Sequence, residues 1–116
     1  MQPETRDAAY LWDMLQAARD ILNFTAGVSF EQFSKDKKTR FAVERQLLAI
    51  GEAANRVSKS FQNEHAEIPW RQVVGQRNVL AHEYGEILVE RIWLVAKDNI
   101  PKLVEVLEKL LVEREE

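Results

Sequence analysis

The chain has 116 residues, about half of them hydrophobic and nearly a third charged, with a formal net charge of −3. That length suits one domain, residues 1–116, with a single core, and the acidic total excludes a generally basic nucleic-acid binder. The absence of cysteine excludes disulfides, thiolate nucleophiles and zinc–thiolate sites together. No apolar run approaches the roughly 20 residues that span a bilayer, and Met1–Asp7 lacks a basic region followed by an apolar run. A cytoplasmic protein without membrane association is therefore expected.

Helical periodicity dominates, with no convincing alternating strand. Residues 5 to about 25 form a first predicted helix, with Ala8, Leu11, Leu15, Ala18 and Leu22 on one side and Asp7 near its first turn. Gly27 ends it, and Ser29-Phe30-Glu31-Gln32 has the form of a capping box opening a short helix. A long helix follows from about Asp36 to Lys59, offering Phe41, Leu47, Leu48, Ile50, Ala54 and Val57 to a core. Gly51 within it costs about 1 kcal/mol relative to alanine, which points to a close helix–helix approach.

Residues 60–68 are a polar connection, with His65 at the surface. Pro69 stands at the first position of the next helix, about 70–83, which stops near Gly85. The last segment, about 86–114, carries Leu88, Ile92, Ala96, Ile100, Leu103, Leu107 and Leu110 in one stripe that keeps its phase through Pro101. One kinked helix or two nearly collinear ones are expected there. Four major helices with short connections imply an all-α, antiparallel bundle. Trp12, Trp70 and Trp93 are read as core or dimer anchors.

The charge is unevenly distributed. Residues 35–85 hold nine Lys and Arg against six Asp and Glu, so the middle of the chain is net positive while both ends are net negative. Within that middle lies Arg77-Asn78-Val79-Leu80-Ala81-His82-Glu83-Tyr84. Arg77 supplies a fixed cation whose fork fits phosphate oxygens, His82 an imidazole that titrates near neutral pH, and Tyr84 a modifiable phenol. At about 100° per residue, Asn78 and His82 share one helix face and Arg77 and Tyr84 another. Arg77 and His82, roughly 140° apart, flank a ridge that lines a cleft once a second surface closes over it. A structural salt bridge of Arg77 with Glu83 or Glu52 is the bland alternative.

The chain resembles the HepT-like branch of the HEPN superfamily, the toxin halves of HepT–MntA modules, through three blocks in order. These are Ile50-Gly51-Glu52-Ala53-Ala54, the helix start Ile68-Pro69-Trp70, and Arg77 to Tyr84, which fits an R-x4-H-x-Y signature. Ile92-Trp93 and Ile100-Pro101 also sit where that family places them. The resemblance implies a four-to-five-helix HEPN bundle that dimerises and sets two R-x4-H motifs at a shared cleft. It implies a metal-independent endoribonuclease, part of a type VII-like toxin–antitoxin module. Its partner would be an MntA-type nucleotidyltransferase antitoxin that transfers AMP to the motif tyrosine, here Tyr84.

The chemistry agrees with that implication. Metal-free RNA cleavage needs a base for the ribose 2′-hydroxyl, an acid for the leaving 5′-oxygen and a cation for charge on phosphorus. One chain offers one well-placed imidazole, so a homodimer that brings two copies of His82 together supplies both. Asn78 orients the imidazole or contacts substrate, or else caps within the bundle. Glu52 pairs with a motif cation or stays at the dimer surface. No metal or cofactor site is expected, because the histidines lack ligand spacing and the glycines form no phosphate loop. The rival reading is a non-catalytic module that binds and regulates a nucleotidyltransferase.

Overall fold

The computed structural model describes residues 3–75 and 86–115. Its helices are α1 (Pro3–Thr25), α2 (Phe30–Lys35), α3 (Lys37–Arg56), α4 (Lys59–Glu64), α5 over residues 70–75, α6 (Glu86–Leu94) and α7 (Ile100–Glu115), with a π-helical segment, Val95–Asn99, joining the last two. The described residues contain no strand. The fold is the all-α bundle expected from the periodicity.

Helix α1 is the central element and packs along both α3 and α7. Leu11, Met14, Leu15, Ala18 and Ile21 are buried on it at three- and four-residue spacing, the stripe that drives an amphipathic helix into a core. Its neighbours run antiparallel to it. Asp7 meets Ser58 just beyond α3, Arg19 pairs with Glu108 of α7 at 3.3 Å, and Thr25 meets Lys97 at the opposite end. Buried side chains from all seven described helices, α1 to α7, form one hydrophobic cluster.

The helix ends are closed by named groups. Gly27, at φ 71°, takes the left-handed turn after α1. The ammonium of Lys97 donates to the Thr25 carbonyl at 2.8 Å, a cation at the negative end of α1, and lies 4.9 Å from the centre of the Trp93 ring. The capping box of α2 forms as read: Gln32 N–H donates to Ser29 Oγ and Ser29 N–H to Gln32 Oε1. Asp36 caps α3 by accepting from the Thr39 amide and hydroxyl. Those bonds, the hydroxyl's first, hold its carboxyl below the ordinary range.

Three expectations change. Helix α3 ends at Arg56 because Val57 leaves helical backbone, and Ser58 then caps a new helix, α4, inside the stretch read as a polar connection. Asp7 holds that corner: its buried carboxylate accepts from Ser58 N–H at 2.9 Å and Ser58 Oγ–H at 2.7 Å. Gln62 reaches back to donate to the Val57 carbonyl at 2.9 Å. Second, Phe41 is 61% exposed and so does not belong to the core of this chain, whereas Trp12, read as a core or dimer anchor, is 41% exposed and lies outside the core.

Third, the break expected at Pro101 takes the form of a π-helical turn ahead of it, in which Ile100 N–H donates to Val95 O. Proline offers no N–H to the carbonyl four residues back, and its ring crowds that carbonyl. One extra residue in the preceding turn relieves both, and the backbone stays right-handed helical at Leu94 and Ile100. Ile92, Ala96, Ile100, Leu103 and Leu107 consequently all remain buried.

Candidate functional site

Helix α5 leads toward the Arg77–Tyr84 motif, and its start is firmly seated. Ile68, Trp70 and Val73 are buried, and the Trp70 indole Nε1–H donates to the His65 carbonyl at 2.9 Å. Phe61 meets the Trp70 ring edge-on at 6.2 Å and stacks on the His65 ring at 4.2 Å. His65 is thus half-buried in a packed corner, not a free surface residue. The imidazole Nδ1 lies 3.4 Å from Glu67, whose carboxyl is held low mainly by its own backbone N–H, with His65 adding to the effect. Pro69 stands one position before the helix, its carbonyl accepting the first helical bond from Val73 N–H at 3.0 Å.

Gly51 sets the distance between α3 and α5. A β-carbon placed there would stand 3.3 Å from the Val73 carbonyl oxygen and 3.6 Å from that of Val74. The glycine therefore lets the backbone of α3 lie against the backbone that runs into the motif, as its place inside a long helix predicted. Both partners are main chain, so neither can swing aside.

Glu52 stands next to Gly51 on α3. It is exposed and lines an open groove of about 380 Å³ between α1 and α3, together with Tyr10, Asp13, Asp20, Ala53 and Arg56. Among the described residues it forms no salt bridge. Farther along α3, Glu44 is half-buried, and desolvation raises its carboxyl above the ordinary range although Arg40 pulls it down. A second groove of about 270 Å³, lined by Ile68, Pro69, Val73, Asn99, Ile100 and Leu103 among others, separates the start of α5 from α7.

Arg77, Asn78, His82 and Tyr84 lie outside the described residues, so Glu52 is the one predicted site residue whose surroundings are seen. Sequence reasoning placed Phe41 in the core, whereas it stands on the exposed face of α3 between Lys37, Lys38 and Arg45. The signal was present in the spacing, because Phe41 falls off the stripe set by Val43, Leu47, Ile50 and Ala54. No helix among the described residues is long and apolar enough to cross a membrane.

Relatives of this chain are found among archaeal and bacterial proteins. The "Probable ribonuclease HepT" of Thermococcus cleftensis is 43% identical over 101 residues, covering 87% of this chain and 92% of its own. "Putative RNase MJ1380" of Methanocaldococcus jannaschii is 36% identical over 95 residues, 82% of this chain and 87% of the relative. "Putative RNase MJ0127" of the same organism is 35% identical over 109 residues, 94% and 90% respectively. No solved structure matches the chain. The family model described as "Ribonuclease HepT-like" matches residues 14–110, a span that contains both Glu52 and Arg77–Tyr84, and the chain belongs to that HepT-like family of the HEPN superfamily.

Proposed function

We propose that the protein is a metal-independent endoribonuclease acting as a homodimer, with Arg77 and His82 as its catalytic residues. The observation that carries this reading is the R-x4-H-x-Y spacing of Arg77, His82 and Tyr84 inside the segment matched by the ribonuclease HepT-like family. Three relatives bear ribonuclease names, which supports the same activity here.

In this mechanism His82 of one copy removes the proton from a ribose 2′-hydroxyl. The oxygen attacks the adjacent phosphorus, and the bond to the 5′-oxygen breaks as the second copy's His82 donates a proton to it. The products are a 2′,3′-cyclic phosphate and a 5′-hydroxyl end. Arg77, always charged and forked, stabilises the extra negative charge on the phosphoryl oxygens. Asn78, four residues before His82, orients the imidazole. The close approach allowed by Gly51 supports this scheme by fixing α5, which precedes the motif in the chain, against α3.

Tyr84 is both a cleft residue and the target of control. A nucleotidyltransferase antitoxin would transfer AMP from ATP to its phenolic oxygen, releasing pyrophosphate. The adduct adds bulk and negative charge beside Arg77 and His82 and repels RNA from the cleft.

The test is incubation of the unmodified protein with total cellular RNA in EDTA, beside His82→Ala and Arg77→Ala, with product ends assayed for cyclic phosphate. Cleavage by the wild type alone supports the mechanism. No cleavage by a protein whose mass carries no AMP favours a non-catalytic module that regulates its nucleotidyltransferase partner.

A further inference from the structure

The exposed face of α3 carries chemistry that the packing does not use. At about 100° per residue, Lys37, Phe41, Glu52, Arg45, Lys38 and Arg56 fall within an arc of roughly 100°. Five of them are the exposed face opposite buried Val43, Leu47, Ile50 and Ala54, and Phe41, the sixth, is the most open of the large exposed apolar side chains among the described residues at 61%. One turn from Phe41 stand Lys37 and Lys38 before it and Glu44 and Arg45 after it, three cations against one carboxylate that is half-buried. None of the three forms a salt bridge with a described residue. Arg40, by contrast, turns to the other side and donates to the Ser34 carbonyl.

A solvent-facing aromatic ring flanked by three exposed cations has no reason in the stability of one chain. It has the composition of a surface for single-stranded nucleic acid, where a base stacks on the ring and phosphates lie against the cations. Its position fits the same use. The strip lies on the helix whose Gly51 touches the backbone leading into the Arg77–Tyr84 motif. Asp13 and Asp20 of α1 line the groove beside Glu52 and Arg56, so the carboxylates gather along that border of the strip and the RNA-binding half is the one around Phe41.

We infer that single-stranded RNA binds along the N-terminal half of α3, with a base stacked on Phe41 and its phosphates on Lys37, Lys38 and Arg45. The inference rests on the ribonuclease reading and adds a substrate-holding surface outside the catalytic motif. These residues position the RNA and take no part in bond breaking.

The test uses the full chain carrying His82→Ala, so that bound RNA is not cut, and a short fluorescein-labelled single-stranded RNA of mixed sequence followed by anisotropy. Adding Phe41→Ala weakens binding by roughly fivefold or more. Adding Lys38→Glu with Arg45→Glu weakens it further and flattens the dependence on salt. An equal charge change on α7, Lys102→Glu with Lys109→Glu, leaves binding as in the parent. In the chain with His82 intact, the strip substitutions raise KM and leave kcat near wild type. Circular dichroism and light scattering verify fold and oligomeric state throughout.

Binding and KM unchanged in both strip variants, with wild type still cutting RNA, would overturn the inference and leave the ribonuclease reading standing. Loss of binding that tracks conversion to monomer would also overturn it, assigning the strip to contact between copies. No cleavage and no binding of RNA by the unmodified wild type would remove the ribonuclease reading and this inference with it.

Discussion

The backbone of α3 at Gly51 lies so close to the Val73 carbonyl that a β-carbon would stand 3.3 Å from that oxygen. A single methyl forces the two helices apart by a few tenths of an ångström, while helix propensity favours alanine over glycine by about 1 kcal/mol. The two effects oppose each other, so Gly51→Ala is expected to leave stability within about 1 kcal/mol of wild type. Gly51→Val has no such compensation. It is expected to destabilise by about 1–3 kcal/mol in urea unfolding, as overpacking against backbone does, and to lower RNA cleavage as α5 shifts. A valine variant as stable and as active as wild type would show that α5 is not held by this contact.

The Asp7–Ser58 pair joins the start of α1 to the start of α4 across 51 residues of chain. Asp7→Ala removes a buried acceptor from an amide and a hydroxyl, with an expected cost of about 1–3 kcal/mol. Ser58→Ala loses the cap to Phe61 N–H as well, for about 1 kcal/mol. Both substitutions break the bond from the Ser58 hydroxyl to Asp7, while the bond from the Ser58 amide is lost only with Asp7, so the double variant is expected to cost less than their sum. Additive losses in a double-mutant cycle would mean the pair is not coupled.

This corner also shows where sequence reading stops. The stripes of α1 and α7 and the capping box at Ser29 were legible because each is set by neighbours within a few residues, and the role of Gly51 because a glycine inside a long helix is costly without a close approach to justify it. Helix α4 was not: six residues are too few for periodicity, and the carboxylate that completes its cap comes from Asp7. The π-helical turn before Pro101 was half legible, since proline announces a break but not its form. Phe41 was misplaced because apolar character was read without its angular position. For the site, the spacing Arg77, His82, Tyr84 was readable, whereas the exposure of Glu52 depends on how α1 lies beside α3.

Asp36, the cap of α3, and Glu44 on α3 make pH dependences of opposite sign. Asp36 titrates below its ordinary 3.8 because it accepts bonds as a carboxylate, so its contribution is present above about that pH and is lost as pH falls through the lower folded value. Glu44 titrates above its ordinary 4.5 because burial penalises its charge, so stability is fully present below that value and decreases as pH rises through the higher folded one. Glu44→Gln is therefore expected to raise the melting temperature at pH 7 and to change it little at pH 3.5. Asp36→Ala is expected to lower it at pH 7 with a smaller gap at pH 3. Thermal unfolding of the three proteins at these pH values checks both signs, and gaps that do not move with pH would dissociate them from these carboxyls.

The proposed mechanism asks one histidine to lose a proton and its twin to hold one. A dimer with two copies of His82 in those roles gives a bell-shaped dependence of kcat/KM on pH, with both limbs set by imidazoles whose ordinary pKa is about 6.5. The two limbs belong to the pair and not to either copy. His82→Ala is expected to lower kcat by about 10²–10⁴-fold. Arg77→Lys is not expected to rescue the loss in Arg77→Ala, because an ammonium lacks the guanidinium fork that spans two phosphoryl oxygens. A profile with a single limb, rising to a plateau, would mean that one histidine acts as base and that the leaving oxygen takes its proton from another donor. Dimers with one wild-type and one His82→Ala copy separate the cases: near-complete loss of activity assigns both histidines to one turnover, and half activity assigns one histidine to each independent site.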